Sequence, residues 1–306
     1  MSIVEIKNKY VNKEIEKHDF INQAFEQHKS LFDYVKYISG TEIQEINITK
    51  SGCVFTTDND IKFLCKNLDK RVSPIEAINF GNYELAETNL ILSLMQDDFV
   101  FFDIGANIGW YTCNVAKKFP KTKIYSFEPI PQTFTDLENN VIINKFDNVS
   151  LYNIGLSNVN DSISFYYDKE NSGCTSMQHT AQENVERVDV EVAKFDDFFA
   201  DNSIKALDFI KCDVEGAELL VFEGGQKCIK EHLPIIFTEM LRKWSAKFDY
   251  HPNEIIELFK KLGYSCYDIG ANGCSKVEEM TEQTVETNFV FLHDEKHADE
   301  IKKVTK

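Results

Sequence analysis

The sequence predicts an α/β fold with a seven-stranded, mostly parallel sheet and helices on both of its faces. Apolar strand-like segments alternate with helix-like segments between about residues 99 and 293, which is typical of such sheets. The run from Phe99 to Gly109 indicates a buried strand that ends at Asp103 and turns into a helix. At 306 residues, the chain is long enough to bury roughly three quarters of its unfolded surface. We expect one domain over residues 71–306, preceded by a small α+β module over residues 1–70.

The N-terminal module combines a helical pattern with an antiparallel β pattern. Apolar residues recur at roughly helical spacing within the first forty residues. Over residues 45–65 the pattern alternates around a Ser51-Gly52 turn, which predicts a small antiparallel β-unit. A helix predicted at about residues 83–95 then leads into the first strand of the sheet.

The strands and helices of the large domain follow in order. Strands are predicted at residues 99–103, 123–128, 149–156, 207–214, 234–240, 264–269 and 288–293. Helices are predicted from about residue 110 and at residues 131–144, 218–230 and 252–262. We expect the last strand to run antiparallel between the fifth and the sixth. Residues 162–167 and 188–192 predict an inserted hairpin or edge strands around the polar loop 171–177.

Charge and composition argue against several classes of function. The net charge of −17, from 50 acidic and 33 basic residues, disfavours a phosphate backbone as substrate, so we expect no nucleic-acid partner. No apolar run reaches the roughly 20 residues that span a membrane, and the N-terminus lacks the apolar core of a signal peptide. We therefore expect no membrane span and a cytoplasmic location. The 8 cysteines are scattered without zinc-ligand spacing, which predicts free thiols and no metal site.

The turn that follows the first large-domain strand predicts a small-molecule site. Its glycines let the backbone pass close to a ligand, and the start of the next helix offers unpaired N–H groups. A dinucleotide site would need Gly-x-Gly-x-x-Gly, but Asn107 occupies the position of the second glycine and the acidic Asp103 comes before the first. The pattern resembles instead the first motif of class I S-adenosylmethionine-dependent methyltransferases. A tight turn with a structural aspartate is the alternative interpretation.

Further carboxylates follow other predicted strands at the same edge of the sheet. Glu128 would accept both ribose hydroxyls of a nucleoside, or else be a helix-capping or surface carboxylate. Asp213 and Glu215 are candidate general bases for a hydroxyl, because a fold tolerates converging carboxylates when a cation, a hydroxyl or a proton separates them. Alternatively, Glu215 is solvated and Glu218 caps its helix. Glu239 adds a carboxylate at the end of the fifth strand.

The whole series of motifs resembles the FkbM-type methyltransferase family. The segments that carry the resemblance are residues 103–112, 127–131, 155–158, 210–218 and 223–225. The resemblance covers about residues 80–270, in the expected order. It implies a Rossmann-like class I methyltransferase that uses S-adenosylmethionine as cofactor and methylates a hydroxyl of a sugar, a glycan or a secondary metabolite.

The resemblance also implies roles for individual residues. The methionine part of the cofactor would contact the first turn, at Asp103, Gly105, Asn107 and Gly109. Glu128 would bind the ribose, and the turn at Leu156 and Ser157 would contact the adenine edge. Asp213 would lie beside the transferred methyl group.

Two hypotheses of function follow from these residues. In the first, the protein is an O-methyltransferase in which Asp213 or Glu215 takes the proton of a small-molecule or glycan acceptor and Glu239 lies at the same catalytic edge. A divalent metal bridging these three carboxylates is a variant of that hypothesis. In the second, the protein is a non-catalytic Rossmann-like module that binds a nucleotide or a partner protein. The N-terminal residues would either cover the substrate or mediate a homo-oligomer.

Overall fold

The computed structural model describes residues 1–65, 69–168, 185–270 and 273–305. The loop predicted at residues 171–177 lies outside these residues. Two helices open the chain, α1 (Ile3–Val11) and α2 (Lys17–Tyr37). An antiparallel sheet follows, with strands β1 (Ile43–Thr49), β2 (Gly52–Thr57) and β3 (Lys62–Cys65) in sequential order, as the alternation predicts.

The next elements are three strands of the large sheet and the helices that precede and connect them. They are α3 (Ser73–Phe80), α4 (Leu85–Leu94), β4 (Val100–Ile104), α5 (Trp110–Lys118), β5 (Lys123–Phe127), α6 (Pro131–Asn144) and β6 (Val149–Tyr152). An inserted segment follows, with strands β7 (Gly155–Ser157), β8 (Asp161–Asp168) and β9 (Val185–Lys194) and helix α7 (Phe195–Asp201).

The remaining strands of the large sheet and their helices complete the described chain. Its elements are β10 (Phe209–Cys212), α8 (Glu218–Gly224), α9 (Gln226–His232), β11 (Ile235–Glu239), α10 (Arg242–Ser245), α11 (Asn253–Lys260), β12 (Tyr264–Asp268), β13 (Lys276–Val277), β14 (Asn288–His293) and α12 (Ala298–Val304). A short 3-10 turn, Ala246–Phe248, separates α10 from α11.

The large sheet has eight strands in the order β13-β12-β14-β11-β10-β4-β5-β6. Strands β11, β10, β4, β5 and β6 are parallel, and β14 lies antiparallel between β11 and β12, as the sequence predicts. The strand beyond the predicted seven is β13, a two-residue segment that pairs with the outer edge of β12.

The strand predicted at residues 149–156 is divided in the structure. Only β6 belongs to the large sheet, whereas β7 pairs with β9 in a separate sheet of order β7-β9-β8. The side chain of Asn153 donates to the carbonyls of Glu128 and Pro129, at 2.8 and 3.0 Å, and this local bonding coincides with the break between the two strands. The predicted hairpin is confirmed by the antiparallel pairing of β8 with β9.

The helix predicted at residues 218–230 is interrupted at Gly225, between α8 and α9. A Cβ on Gly225 would lie 2.4 Å from Cδ1 of Phe195, and a Cβ on Gly224 would lie 1.9 Å from the carbonyl oxygen of Ser157. These helices therefore pack directly against α7 and against the end of β7.

Alternating residues of β4 place apolar side chains on both faces of the sheet. Phe101 packs against Phe209 on one face, with 5.5 Å between the ring centroids, and Phe102 stacks on Phe195 on the other, also at 5.5 Å. All of these rings are fully buried. A strand buried on both faces reads as a continuous apolar run, and this explains why β4 was recognisable from sequence.

The N-terminal β-unit packs into the same core as the large sheet. Phe63 of β3 is fully buried and stacks on Trp110 with 5.0 Å between the ring centroids. The amide side chains of Asn140 and Asn144 on α6 bond to the main chain of β3.

The domain boundary at residue 70 stays a prediction. No helix of the described residues combines the length and apolarity needed to cross a bilayer.

Candidate active site

A cavity lies where β4, β5 and β10 end at the same edge of the sheet. Parallel strands bring their carboxyl ends together, and ligands of α/β sheets bind there. Of the residues predicted for the site, those that line the cavity are Gly105, Asn107, Glu128, Leu156, Ser157, Asp213 and Glu215. The lining described here does not include Asp103, Gly109 or Glu239.

The glycine turn after β4 allows two strands to approach closely. Gly105 has φ +76°, and a Cβ there would lie 1.8 Å from the carbonyl oxygen of Asp213. The main-chain N–H groups of Gly105 and Ala106 donate to the carbonyl of Phe127, at 3.0 and 2.9 Å. Any larger residue at position 105 would therefore separate the ends of β4 and β10.

Asn107 also has positive φ, +50°, a conformation that asparagine tolerates better than most residues. Its side-chain Oδ1 is buried, and it has no hydrogen-bond partner among the described residues. A buried acceptor without a partner is costly unless a ligand or water satisfies it. Asn107 is therefore a candidate to contact a hydrogen-bond donor of a bound molecule.

Glu128 is held by two main-chain donors. Its Oε2 accepts from the N–H of Asn107 at 3.0 Å, and its Oε1 accepts from the N–H of Ile130 at 2.9 Å. Its side chain is buried, and burial raises the pKa of the carboxyl to about 7. Each carboxylate oxygen retains further acceptor capacity, which suits a pair of ligand hydroxyls.

Asp103 lies behind the cavity wall, with no exposed surface. Thr112 Oγ1 donates to its Oδ2 at 2.6 Å, and the Nζ of Lys211 lies 3.6 Å from its Oδ1. Burial raises the pKa of Asp103 despite the nearby ammonium. Gly109, with φ +90°, is the N-cap residue of α5 and lies outside the lining.

Lys211 is a buried cation that the sequence prediction missed. Its Nζ donates to the carbonyl of Gly105 at 2.9 Å, lies 3.5 Å from Oδ2 of Asp213 and sits 5.4 Å from the ring centre of Tyr111. Burial lowers its pKa, but the carboxylates of Asp213, Asp103 and Glu84 outweigh burial and raise it, so Lys211 stays charged. The sequence signal that could have identified it is a single lysine within the otherwise apolar strand β10.

The turn after β10 is organised by Glu218. Its Oε1 accepts from the N–H groups of Val214 and Gly216, each at 3.0 Å, and Tyr250 donates to its Oε2 at 3.2 Å. Burial raises the pKa of Glu218 to about 7. Glu218 therefore holds the turn before α8, whereas the N-cap of that helix, Ala217, makes no side-chain capping bond, so the predicted helix-capping role of Glu218 is not what the structure shows.

Glu215 and Glu239 are the carboxyls with the most strongly raised pKa values at this edge. Burial, followed by Asp213 and Glu218, raises the pKa of Glu215 to about 8. Burial, followed by Asp213 and Glu215, raises the pKa of Glu239 to about 9. Glu215 lines the cavity with φ +55°, whereas Glu239 ends β11 outside the lining.

No group of acidic, histidine or cysteine side chains within the described ranges could hold a metal ion.

The cavity wall near Lys211 includes three residues from before β4, and sequence reasoning assigned none of them to the site. Ser73, Tyr83 and Glu84 line the cavity together with Tyr111 of α5. The hydroxyl of Tyr111 donates to Oε2 of Glu84. Acidic side chains thus surround a cavity whose wall contains one buried lysine, an environment that favours positively charged and hydroxyl-bearing ligands.

Comparison with known proteins finds relatives that are named as methyltransferases. Methyltransferase 1 of Beauveria bassiana is 26% identical over 172 residues, which is 50% of this chain and 68% of that protein. The 2-O-methyltransferase NoeI of Sinorhizobium fredii is 27% identical over 164 residues, 49% of this chain and 66% of that protein. The hexuronic acid methyltransferase AglP of Haloferax volcanii is 28% identical over 135 residues, 44% of this chain and 53% of that protein.

The matches to NoeI and AglP thus span less than two thirds of those proteins. The model of the methyltransferase FkbM domain matches residues 103–266, which include the glycine turn and the strand ends that line the cavity. This match covers more than half of the chain. The chain belongs to the FkbM methyltransferase family.

Proposed function

We propose that this protein is an S-adenosylmethionine-dependent O-methyltransferase that acts on a hydroxyl of a sugar, a glycan or a secondary metabolite. The observation that carries the proposal is the cavity-lining carboxylate of Glu128. Two main-chain donors hold it beside the glycine turn, and it lines the same cavity as Asp213 and Glu215. Family membership supports methyl transfer, and the relatives named as a 2-O-methyltransferase and a hexuronic acid methyltransferase support a sugar hydroxyl as acceptor.

The cavity residues fit such a cofactor. Gly105 lets the ends of β4 and β10 meet at the cavity wall, and the buried Oδ1 of Asn107 lacks a partner in the described chain. Glu128 would bind the ribose hydroxyls, and Leu156 and Ser157 would contact the adenine edge. When bound, S-adenosylmethionine supplies a methyl group on a positively charged sulfur.

The proton of the acceptor hydroxyl must move to a base as the new O–C bond forms. Asp213 and Glu215 both line the cavity, but Asp213 is paired with Lys211 at 3.5 Å. Glu215 has no ion pair within 4 Å among the described residues, and its pKa of about 8 lies close to that expected of an efficient general base. We therefore assign the proton transfer to Glu215 and the support of the site to Asp213.

The test is methyl transfer from labelled S-adenosylmethionine to a panel of glycans and nucleotide sugars. For wild type, we expect kcat to rise with pH up to about pH 8, because Glu215 must lose its proton to act as base. Glu215→Gln should lower kcat about 10²- to 10⁴-fold, the usual contribution of a general base, and should abolish that rise. Binding of S-adenosylhomocysteine, measured by calorimetry, should change much less.

The control variant is Glu279→Gln, which changes an exposed carboxyl outside the cavity lining and should keep the wild-type profile. Full turnover by Glu215→Gln would contradict the assignment of the base. If Asp213→Asn alone abolished the pH dependence, the base would be Asp213. If the wild-type protein bound NAD but not S-adenosylmethionine, the proposed function itself would be wrong.

A further inference from the structure

Glu84 brings a carboxylate to the cavity from outside the matched family region. It precedes α4 with φ 45° and ψ 46°, a left-handed conformation that residues other than glycine rarely adopt. It occupies the N-cap position of that helix, but its side chain makes no capping hydrogen bond. Its carboxylate instead lines the cavity and accepts a hydrogen bond from Tyr111.

The N-terminal module holds the segment that carries Glu84. The N–H of Glu42, just before β1, donates to the carbonyl of Gly81 at 2.8 Å. The side-chain carboxylate of Glu42 accepts from the N–H of Tyr83. Backbone strain persists in folded proteins when the surrounding structure fixes it, and such positions concentrate at functional sites. Glu42 therefore holds the chain at Tyr83, next to the strained backbone of Glu84, and Tyr111 holds the side chain of Glu84.

The carboxylate of Glu84 lacks the partners that its cavity neighbours have. Both oxygens of Glu128 accept main-chain N–H groups, and Asp213 lies 3.5 Å from the ammonium of Lys211. Glu84 accepts hydrogen bonds from the neutral hydroxyls of Tyr111 and Tyr83, and within the described ranges no cationic nitrogen lies within 4 Å of its carboxylate. A largely buried carboxylate is stabilised by a cationic partner, and the open side of Glu84 is the cavity.

Of the four residues expected to contact the methionine part of the cofactor, the one that carries a carboxylate does not line the cavity. Asp103 has no exposed surface and is shielded by contacts with Thr112 and Lys211. A carboxylate that lines the cavity is a favourable partner for the ammonium of the methionine part, because the hydrogen bond between them is charge-assisted. Glu84 lines the cavity next to Tyr111, whose ring contacts the same lysine.

We propose that Glu84 binds the α-ammonium group of the methionine part of S-adenosylmethionine, with Tyr111 orienting its carboxylate. This inference rests on the proposed function. It adds a binding residue that lies before residue 103 and gives the N-terminal module a role, namely holding Glu84 at the cavity through Glu42.

The test compares three ligands by calorimetry. S-adenosylhomocysteine carries the ammonium and the carboxylate, its decarboxylated form keeps only the amine, and 5′-methylthioadenosine has neither. Glu84→Gln should weaken binding of the first two about ten- to a hundredfold, the usual effect of losing a charge-assisted hydrogen bond, and leave 5′-methylthioadenosine unchanged. Glu128→Gln should weaken all three ligands to a similar degree, because it acts on the part that they share.

Glu87→Gln is the matched control, since Glu87 lies one turn further along α4 and outside the cavity lining. It should bind all three ligands like the wild type. An equal loss for all ligands, or no loss, in Glu84→Gln would overturn the inference, as would a loss for S-adenosylhomocysteine without one for its decarboxylated form. A wild-type protein that bound none of the three would instead contradict the proposed function.

Discussion

The two ends of the cavity are built in different ways. At the Glu128 end, the carboxylate is held by main-chain N–H groups only 2 and 21 positions away in sequence. At the Glu84 end, side-chain donors reach partners far away in sequence: the hydroxyl of Tyr111 bonds to Glu84 across 27 positions, and the ammonium of Lys211 bonds to the main-chain carbonyl of Gly105 across 106. Main-chain donors depend on the local turn, whereas the side-chain network depends on one shared ammonium. The first end should therefore tolerate distant substitutions that disrupt the second.

Removal of the shared ammonium is expected to have the largest effect. Lys211→Met would leave Asp103 and Asp213 without their cation, and removing one partner of a buried ion pair costs about 3–5 kcal/mol. The free energy of unfolding, measured by urea titration, should fall by that amount. Lys276→Met, which breaks an exposed ion pair with Glu278, should change it far less. Equal changes in the two variants would show that the ammonium at the Glu84 end is not structurally important.

The next largest effect is expected at Gly105, where the two ends meet. Gly105→Ala combines a left-handed backbone, at about 1–2 kcal/mol, with a forced separation from the Asp213 carbonyl, at about 1–3 kcal/mol. We expect a loss of about 2–5 kcal/mol in the free energy of unfolding. Gly40→Ala, at φ +85° with no atom within 4 Å of the added Cβ, should lose only the backbone part. A matching loss in the two variants would mean that the strand ends separate without cost.

Stability is also expected to depend on pH. Burial raises the pKa values of Glu128, Glu215 and Glu239 to about 7, 8 and 9, from 4.5 for an ordinary glutamate. The folded protein therefore binds more protons than the unfolded chain above pH 4.5, and its stability should fall as the pH rises toward 9.

Thermal melting between pH 5 and pH 9 measures this dependence. Glu128→Gln should reduce the fall around pH 7, to which Glu218 also contributes, and Glu239→Gln should reduce it near pH 9, so the variants separate the Glu128 end from the neighbouring carboxylate at β11. A melting temperature that rises over this range in the wild type would mean that these carboxyls are charged in the folded protein.

The sequence predicted the local parts of the molecule well. Every strand of the predicted sheet is present, because buried strands read as apolar runs and turns are marked by glycine. The cavity positions of Gly105, Glu128 and Asp213 followed from one rule, that parallel strands end at a common edge. Their roles in binding and catalysis stay predictions.

Features that depend on distant contacts were missed. Glu84 accepts a hydrogen bond from Tyr111, and Glu42 accepts one from the N–H of the preceding residue, Tyr83; no local pattern encodes either contact. Lys211 belongs to a motif that the sequence analysis recognised. Its role as the cation beside the fully buried Asp103 depends on a contact that only the folded structure shows. Side-chain networks of this kind are set by tertiary packing and have no period along the chain.

Glu42 anchors Tyr83, a residue of the cavity wall that lies before the segment by which the family is recognised. The matched region begins at residue 103, yet part of the cavity wall comes from Ser73, Tyr83 and Glu84. Two relatives that share the glycine turn and the strand ends would still present different pockets if their preceding segments differed. Ligand choice in such proteins is therefore better compared through the segment before the motif than through the motif itself.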